Sequence, residues 1–188
     1  VTQSRGENGE LTELAPAQTF ELDTNREPTL AGSSPEAASG FMREAHPHAR
    51  AVDVSVKALD EILVQVEAAK LTLKRSTAEP ELHRRTHAIE TRARAIRERL
   101  AGWELLEYMG ERPLPSIRSR VGDAASGNGE SAYGPTATQQ MSLEIATSEF
   151  AEASGDLTRL EGDFRQLQSD LDAAGVPWTP GRGAALTN

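Results

Sequence analysis

Histidines and carboxylates are the residues of this chain best suited to chemistry, and their spacing sets what they can do. His83 and His87 stand four residues apart, with Glu90 three further on. On a helix those steps bring all three onto neighbouring turns. An imidazole pair with a carboxylate can hold a divalent metal. Arg84 and Arg85 crowd the pair, however, and no second cluster completes a ligand shell. We read His83 and His87 as solvated helix-surface side chains, and His46-Pro-His48 as a loop pair without a metal role. Carboxylates are abundant, so pairs such as Glu149 and Glu152 arise by chance. Glycoside hydrolysis needs two carboxyl groups facing across a sugar cleft, and a narrow helical body offers none. The chain has no cysteine, which excludes a thiolate nucleophile, a Cys-based zinc site and a disulfide scaffold. Glycine-rich phosphate loops, the G-x-S-x-G elbow and H-E-x-x-H are absent as well. The sequence therefore predicts no catalytic residue, no cofactor and no metal.

Periodicity defines the elements that carry these residues. Ser34 and Pro35 read as a helix start, but Gly40 and Pro47 interrupt the stretch behind them. A first helix is expected over residues 48–75. Its apolar positions, Ala45, Ala49, Val52, Val56, Leu59, Leu63, Val66, Lys70 and Leu73, step by alternating fours and threes. That is a heptad seam with one polar member. Lys70 is expected to lay its stem along the seam with its ammonium in water. A second helix over 80–109 opens at Pro80 and repeats the steps through Leu82, Thr86, Ile89, Ala93, Ile96, Leu100 and Trp103, with Trp103 expected as core or end packing. Residues 110–135 read as a long, glycine-punctuated loop. The third helix, over 136–174, starts at the capping box Thr136-Ala-Thr-Gln139. Its seam runs unbroken from Leu143 to Ala174, and Gly175 and Pro177 stop it.

Three amphipathic stripes that cannot be buried singly predict an all-α fold. We expect an elongated antiparallel three-helix coiled-coil-like bundle over residues 41–175. Residues 1–40 read as an extended arm or the remnant of a preceding β-domain, with a loose strand at 17–22. Residues 176–188 read as a Pro-rich docking tail.

Charge supports the pairing. The chain has 188 residues and a net charge of -9. Residues 81–99 hold six Arg against three Glu, and residues 141–172 hold eight acids against two Arg. The Arg-rich flanks of helix two (Arg84, Arg85, Arg92, Arg94, Arg97, Arg99) are expected to face Glu149, Glu152, Asp156, Glu161 and Asp163 on helix three. The acidic total points away from nucleic acid as a partner, since phosphate binding needs a dominant basic surface. No apolar run approaches the roughly 20 residues that span a bilayer.

Two segments resist absorption into the bundle. Pro113-Leu-Pro-Ser-Ile117 is a stiff apolar hook in the long loop, and Val176-Pro-Trp-Thr-Pro-Gly-Arg182 sets an aromatic between prolines. Pro115, Ile117, Pro177, Trp178, Pro180 and Arg182 are the candidate partner-docking residues. Trp178 is expected on the bundle end or on a partner domain.

Three stretches also carry a resemblance: Pro115-Ser-Ile-Arg-Ser-Arg-Val121, Pro135-Thr-Ala-Thr-Gln139, and Ala173-Ala-Gly-Val-Pro-Trp-Thr-Pro-Gly-Arg182. Together with the long helix between them they resemble the C-terminal end of bacterial exported sortilin-like BNR-repeat proteins, often labelled glycosyl hydrolases. The likeness covers residues 41–182 in layout and the last 70 or so in motif, the PWTPGR tail being its specific part. In that family a signal, tandem β-propellers and a small β-sandwich precede the helical end. This chain has no Asp-box and no propeller-length repeat, so no propeller residue carries over to it. The resemblance implies an exported, periplasmic or extracellular setting, and a helical tail packed on β-rich domains. The N-terminus, which is neither an initiator Met nor a signal, reads as that of a fragment or processed chain.

The resulting expectation is a non-catalytic helical structural and interaction module, the C-terminal part of a larger exported β-propeller protein. The alternatives are an accessory subunit of a larger envelope assembly, and a buttress for a glycan-acting hydrolase whose active site lies elsewhere.

Overall fold

Ser34 caps the first helix. Its hydroxyl accepts the Ala37 N–H at 3.3 Å, and Pro35 sits in the first turn, where its missing N–H has no intrahelical acceptor to lose. The computed structural model describes residues 3–5, 11–13, 15–16, 19–20, 32–103, 108–110, 114–126 and 134–179. Helix α1 spans Pro35–Leu73 without a break. It therefore starts 13 residues before the expected position 48, and Pro47 lies inside it. An interior proline removes one backbone bond and costs about 3 kcal/mol. Here Arg43 and Pro47, the two ends of the missing bond, are both exposed residues. One face round, Phe41 and Ala45 pack with Ala124 and Leu143 in a small core of their own, which anchors the turns before Pro47.

Helix α2 spans Pro80–Ala101, shorter than the expected 80–109. Gly102 ends it by turning to φ +80°, its N–H reaching Glu98 C=O at 2.7 Å. Residues 104–107 lie outside the described residues. The expected loop over 110–135 contains helix α3, Ile117–Ser126. Ser116 caps it by accepting the Ser119 N–H at 3.2 Å, and Ile117, Val121 and Ala124 are buried at steps of four and three. That spacing is present in the sequence, but the neighbouring glycines outweigh it there. Helix α4 spans Ala137–Ala173. Both arms of its capping box form, Gln139 N–H to Thr136 Oγ1 at 3.2 Å and Thr136 N–H to Gln139 Oε1 at 2.8 Å. It closes in a Schellman motif, with Val176 N–H on Leu171 C=O at 2.9 Å and Gly175 N–H on Asp172 C=O at 3.0 Å. Leu171 and Val176, the apolar pair of that motif, are both buried in the same core cluster.

The chain divides into two units, Val1–Leu30 and Ala31–Asn188. In the first, β1 (Gln3–Arg5) pairs antiparallel with β2 (Leu11–Glu13), Ser4 opposite Thr12. No strand is expected there from the sequence, because neither run shows the four-residue alternation that marks one. Of the stretch expected as a strand, 17–22, only residues 19 and 20 are described, and they carry none. In the second unit every described element is helical. No described helix is long and apolar enough to cross a membrane.

The long helices bury broader stripes than a two-stranded seam. On α1, Ile62 and Ala69 join Leu59, Val66 and Leu73 in the core, while the seam members Ala49 and Leu63 are only partly covered. A helix packed on two neighbours needs the wider stripe. On α2 every seam position through Leu100 is buried. The hydroxyl of Thr86, fully buried, donates to Leu82 C=O at 2.7 Å, so its burial leaves nothing unpaired. Trp103, expected as packing, is 51% exposed, because the chain leaves the helix at Gly102. On α4 the seam is buried from Leu143 to Leu171 except for Phe150, which is partly covered.

Candidate interaction surface

Charged side chains set the register of the helices. Arg85, Arg92 and Arg99 recur every seven residues on α2, and Asp170, Asp163 and Asp156 recur every seven in the opposite sense on α4. Arg85 Nη1 meets Asp170 Oδ2 at 2.5 Å, Arg92 Nη1 meets Asp163 Oδ2 at 2.5 Å, and Arg99 Nη1 meets Asp156 Oδ2 at 2.7 Å. Glu152 adds a 3.5 Å contact to Arg99. Equal heptad steps of opposite direction require α2 and α4 to run antiparallel. The basic flank and the acidic flank do meet, but not through every residue expected. Arg84 turns to Glu81 and Arg94 to Glu90, both on α2 itself. Arg97 reaches Asp60 on α1 at 2.6 Å, and Glu149 faces Arg120 on α3 at 3.7 Å. Asp170, absent from the expectation, supplies the first rung.

Glu90 is the most buried charge among the described residues of the helical unit, at 9% exposure. Lys70 Nζ approaches its carboxylate at 2.8 Å and Arg94 Nη2 at 2.9 Å. The Lys70 ammonium pairs with Glu90, and with Glu67 at 3.0 Å, while its side chain stays partly exposed. Its hydrogen bond with Lys70 holds the Glu90 carboxyl below the ordinary carboxylate range, against the opposing pull of burial, with Arg94 adding to the effect. The same contacts, Glu90 first, raise Lys70. Arg99, then Arg159, lowers Asp156; Arg85 chiefly lowers Asp170. His87 lies 3.7 Å from Glu90 and is 77% exposed at its side chain. Glu90 therefore faces Lys70 and Arg94, and His83, like His87, lies on the exposed surface.

The candidate docking residues separate into two places. Pro177 and Trp178 are half-buried, and Trp178 packs on the end of the core while its indole N–H donates to Asp172 Oδ1 at 2.8 Å. Pro180 and Arg182 lie outside the described residues. Pro115 is exposed, and Ile117, at 2% exposure, is spent on the core. The Pro115 region borders Glu149 and Glu152. About 20 residues of α4, or some 30 Å, separate those from Asp172. The hook and the tail are not one site.

At the hook the structure shows a feature that spacing does not reveal. Trp103, Leu114 and Pro115 edge a hollow of about 620 Å³ where α2, α3 and α4 come together. Leu114 is 90% exposed there. The acids Glu98, Glu149 and Glu152 line the same hollow. In the sequence, the place of Trp103 on the α2 seam hides it; the glycine before it is the signal that the seam stops short.

No protein-family model, curated protein or solved structure matches the chain.

Proposed function

We propose that this chain is a non-catalytic structural and interaction module. In this reading its three long helices form an elongated coiled-coil-like bundle, with the residues before α1 as an arm and the Pro-rich tail as a docking segment. The arginine–aspartate ladder carries the reading. It spends the most regular charges of α2 and α4 on fixing the register of neighbouring helices, a use typical of helical scaffolds. The exposed apolar edge at Trp103 and Leu114 supplies a surface for a neighbour, since clustered exposed apolar side chains mark contact sites. The resemblance of the tail and of the Pro115–Val121 stretch to exported sortilin-like BNR-repeat proteins supplies the setting. The module is then the C-terminal part of a larger exported protein and docks on β-rich domains.

Native sizing tests the interaction reading. Protein extracted without denaturant is expected to elute in a species well above the 20.3 kDa of this chain. Elution as a free 20.3 kDa monomer would overturn it.

A further inference from the structure

The hollow at the α2–α3–α4 corner has a chemistry of its own. Its apolar edge consists of Trp103, Leu114 and Pro115, and its charged lining sets Glu98, Glu149 and Glu152 against Arg99. Arg99 is already held by Asp156 at 2.7 Å and Glu152 at 3.5 Å. Among the described residues no ion pair involves Glu98. An apolar patch bordered by surplus carboxylate rejects an acidic partner and attracts a basic one. A second copy of this chain, itself at -9, brings the wrong sign. The tail of this chain is poorly suited by charge, since residues 177–188 hold one Arg and no Lys.

We infer that this hollow docks a cationic amphipathic segment of a protein partner, its apolar side chains against Trp103 and Leu114 and its Lys or Arg against Glu98 and Glu152. The inference rests on the interaction-module reading and adds the surface and the partner chemistry. Attraction of this kind speeds association and weakens with salt.

The chain has two tryptophans, so Trp178→Phe in the full chain leaves Trp103 as the only tryptophan to report by selective excitation. The probes are a peptide of Leu and Lys at helical spacing, about four turns long, and its counterpart with Glu for Lys. The Leu/Lys peptide is expected to shift Trp103 emission to the blue, with affinity falling as salt rises. Leu114→Ser and Glu98→Lys are each expected to weaken it about tenfold. Both side chains are exposed, so both variants should fold. Val54→Ser, elsewhere on the surface, should leave binding unchanged. Equal binding of the two peptides, or binding indifferent to Leu114→Ser, overturns the inference. So does self-association that buries Trp103 without any peptide. Failure here alongside a large native species would sink only the hollow; a free monomer would sink the module reading itself.

Discussion

Glu90 concentrates more of the helical unit's electrostatics than any other side chain described. It is a nearly buried carboxylate between Lys70 and Arg94, and its loss leaves Arg94 without its acceptor and Lys70 with Glu67 alone. Glu90→Gln keeps the shape and removes the charge. We expect it to lower stability at neutral pH by about 1–3 kcal/mol, read from urea unfolding. The pH dependence has a definite sign. A carboxyl whose folded pKa is depressed contributes stability above its unfolded value, about 4.3 for Glu, and loses it as pH falls through the folded value. Wild-type stability should therefore drop below about pH 4, through Glu90 together with the lowered Asp156 and Asp170. Lys70 has the opposite sense. Its raised pKa contributes below about 10.4 and is lost as pH climbs beyond its folded value. In Glu90→Gln the acid-side drop should shrink; an unchanged acid profile would show that Glu90 adds nothing to it. The sequence places Lys70 on the seam but does not reveal its partner, because Glu90 stands one position off the α2 stripe and looks like part of the histidine face.

At the scale of elements, helix starts and stops are legible where local chemistry is unambiguous. Ser34, the Thr136–Gln139 box and Gly175 each act as their residue types predict. Two of the misplaced boundaries share one cause: intrinsic preference sets the expectation at Pro47 and Gly122, whereas tertiary contacts decide their effect. At Gly102 the seam masks a glycine that does stop its helix. Core packing of Phe41 and Ala45 carries α1 across Pro47, and burial of Val121 and Ala124 carries α3 across Gly122. The ladder gives this level its sharpest prediction. Because the chain has no cysteine, paired cysteines report register without interference. Arg92→Cys with Asp163→Cys should be joined by a short bifunctional thiol reagent. Arg92→Cys with Asp156→Cys, a heptad or about 10 Å out of step, should be joined far more slowly. Comparable rates, or the reverse order, would place α4 in a different register.

At the scale of the whole molecule, the helical class comes from periodicity alone, since stripes of this kind must be buried against one another. The candidate surface is less legible. Hook and tail look alike in the sequence, both apolar and proline-rich, yet they sit at opposite reaches of α4, one bordering Glu149 and the other bonded to Asp172. Distance along a folded helix is not written in composition. On the proposed reading, function at this scale depends on what the module is attached to. The most direct measurement is the mass of the native polypeptide carrying this segment, with peptide coverage sought upstream of Val1. A larger chain with β-repeat peptides preceding Val1 is the result expected of a helical module that closes an exported β-propeller protein. A native chain of about 20.3 kDa with nothing upstream would contradict that placement and make the protein a subunit in its own right.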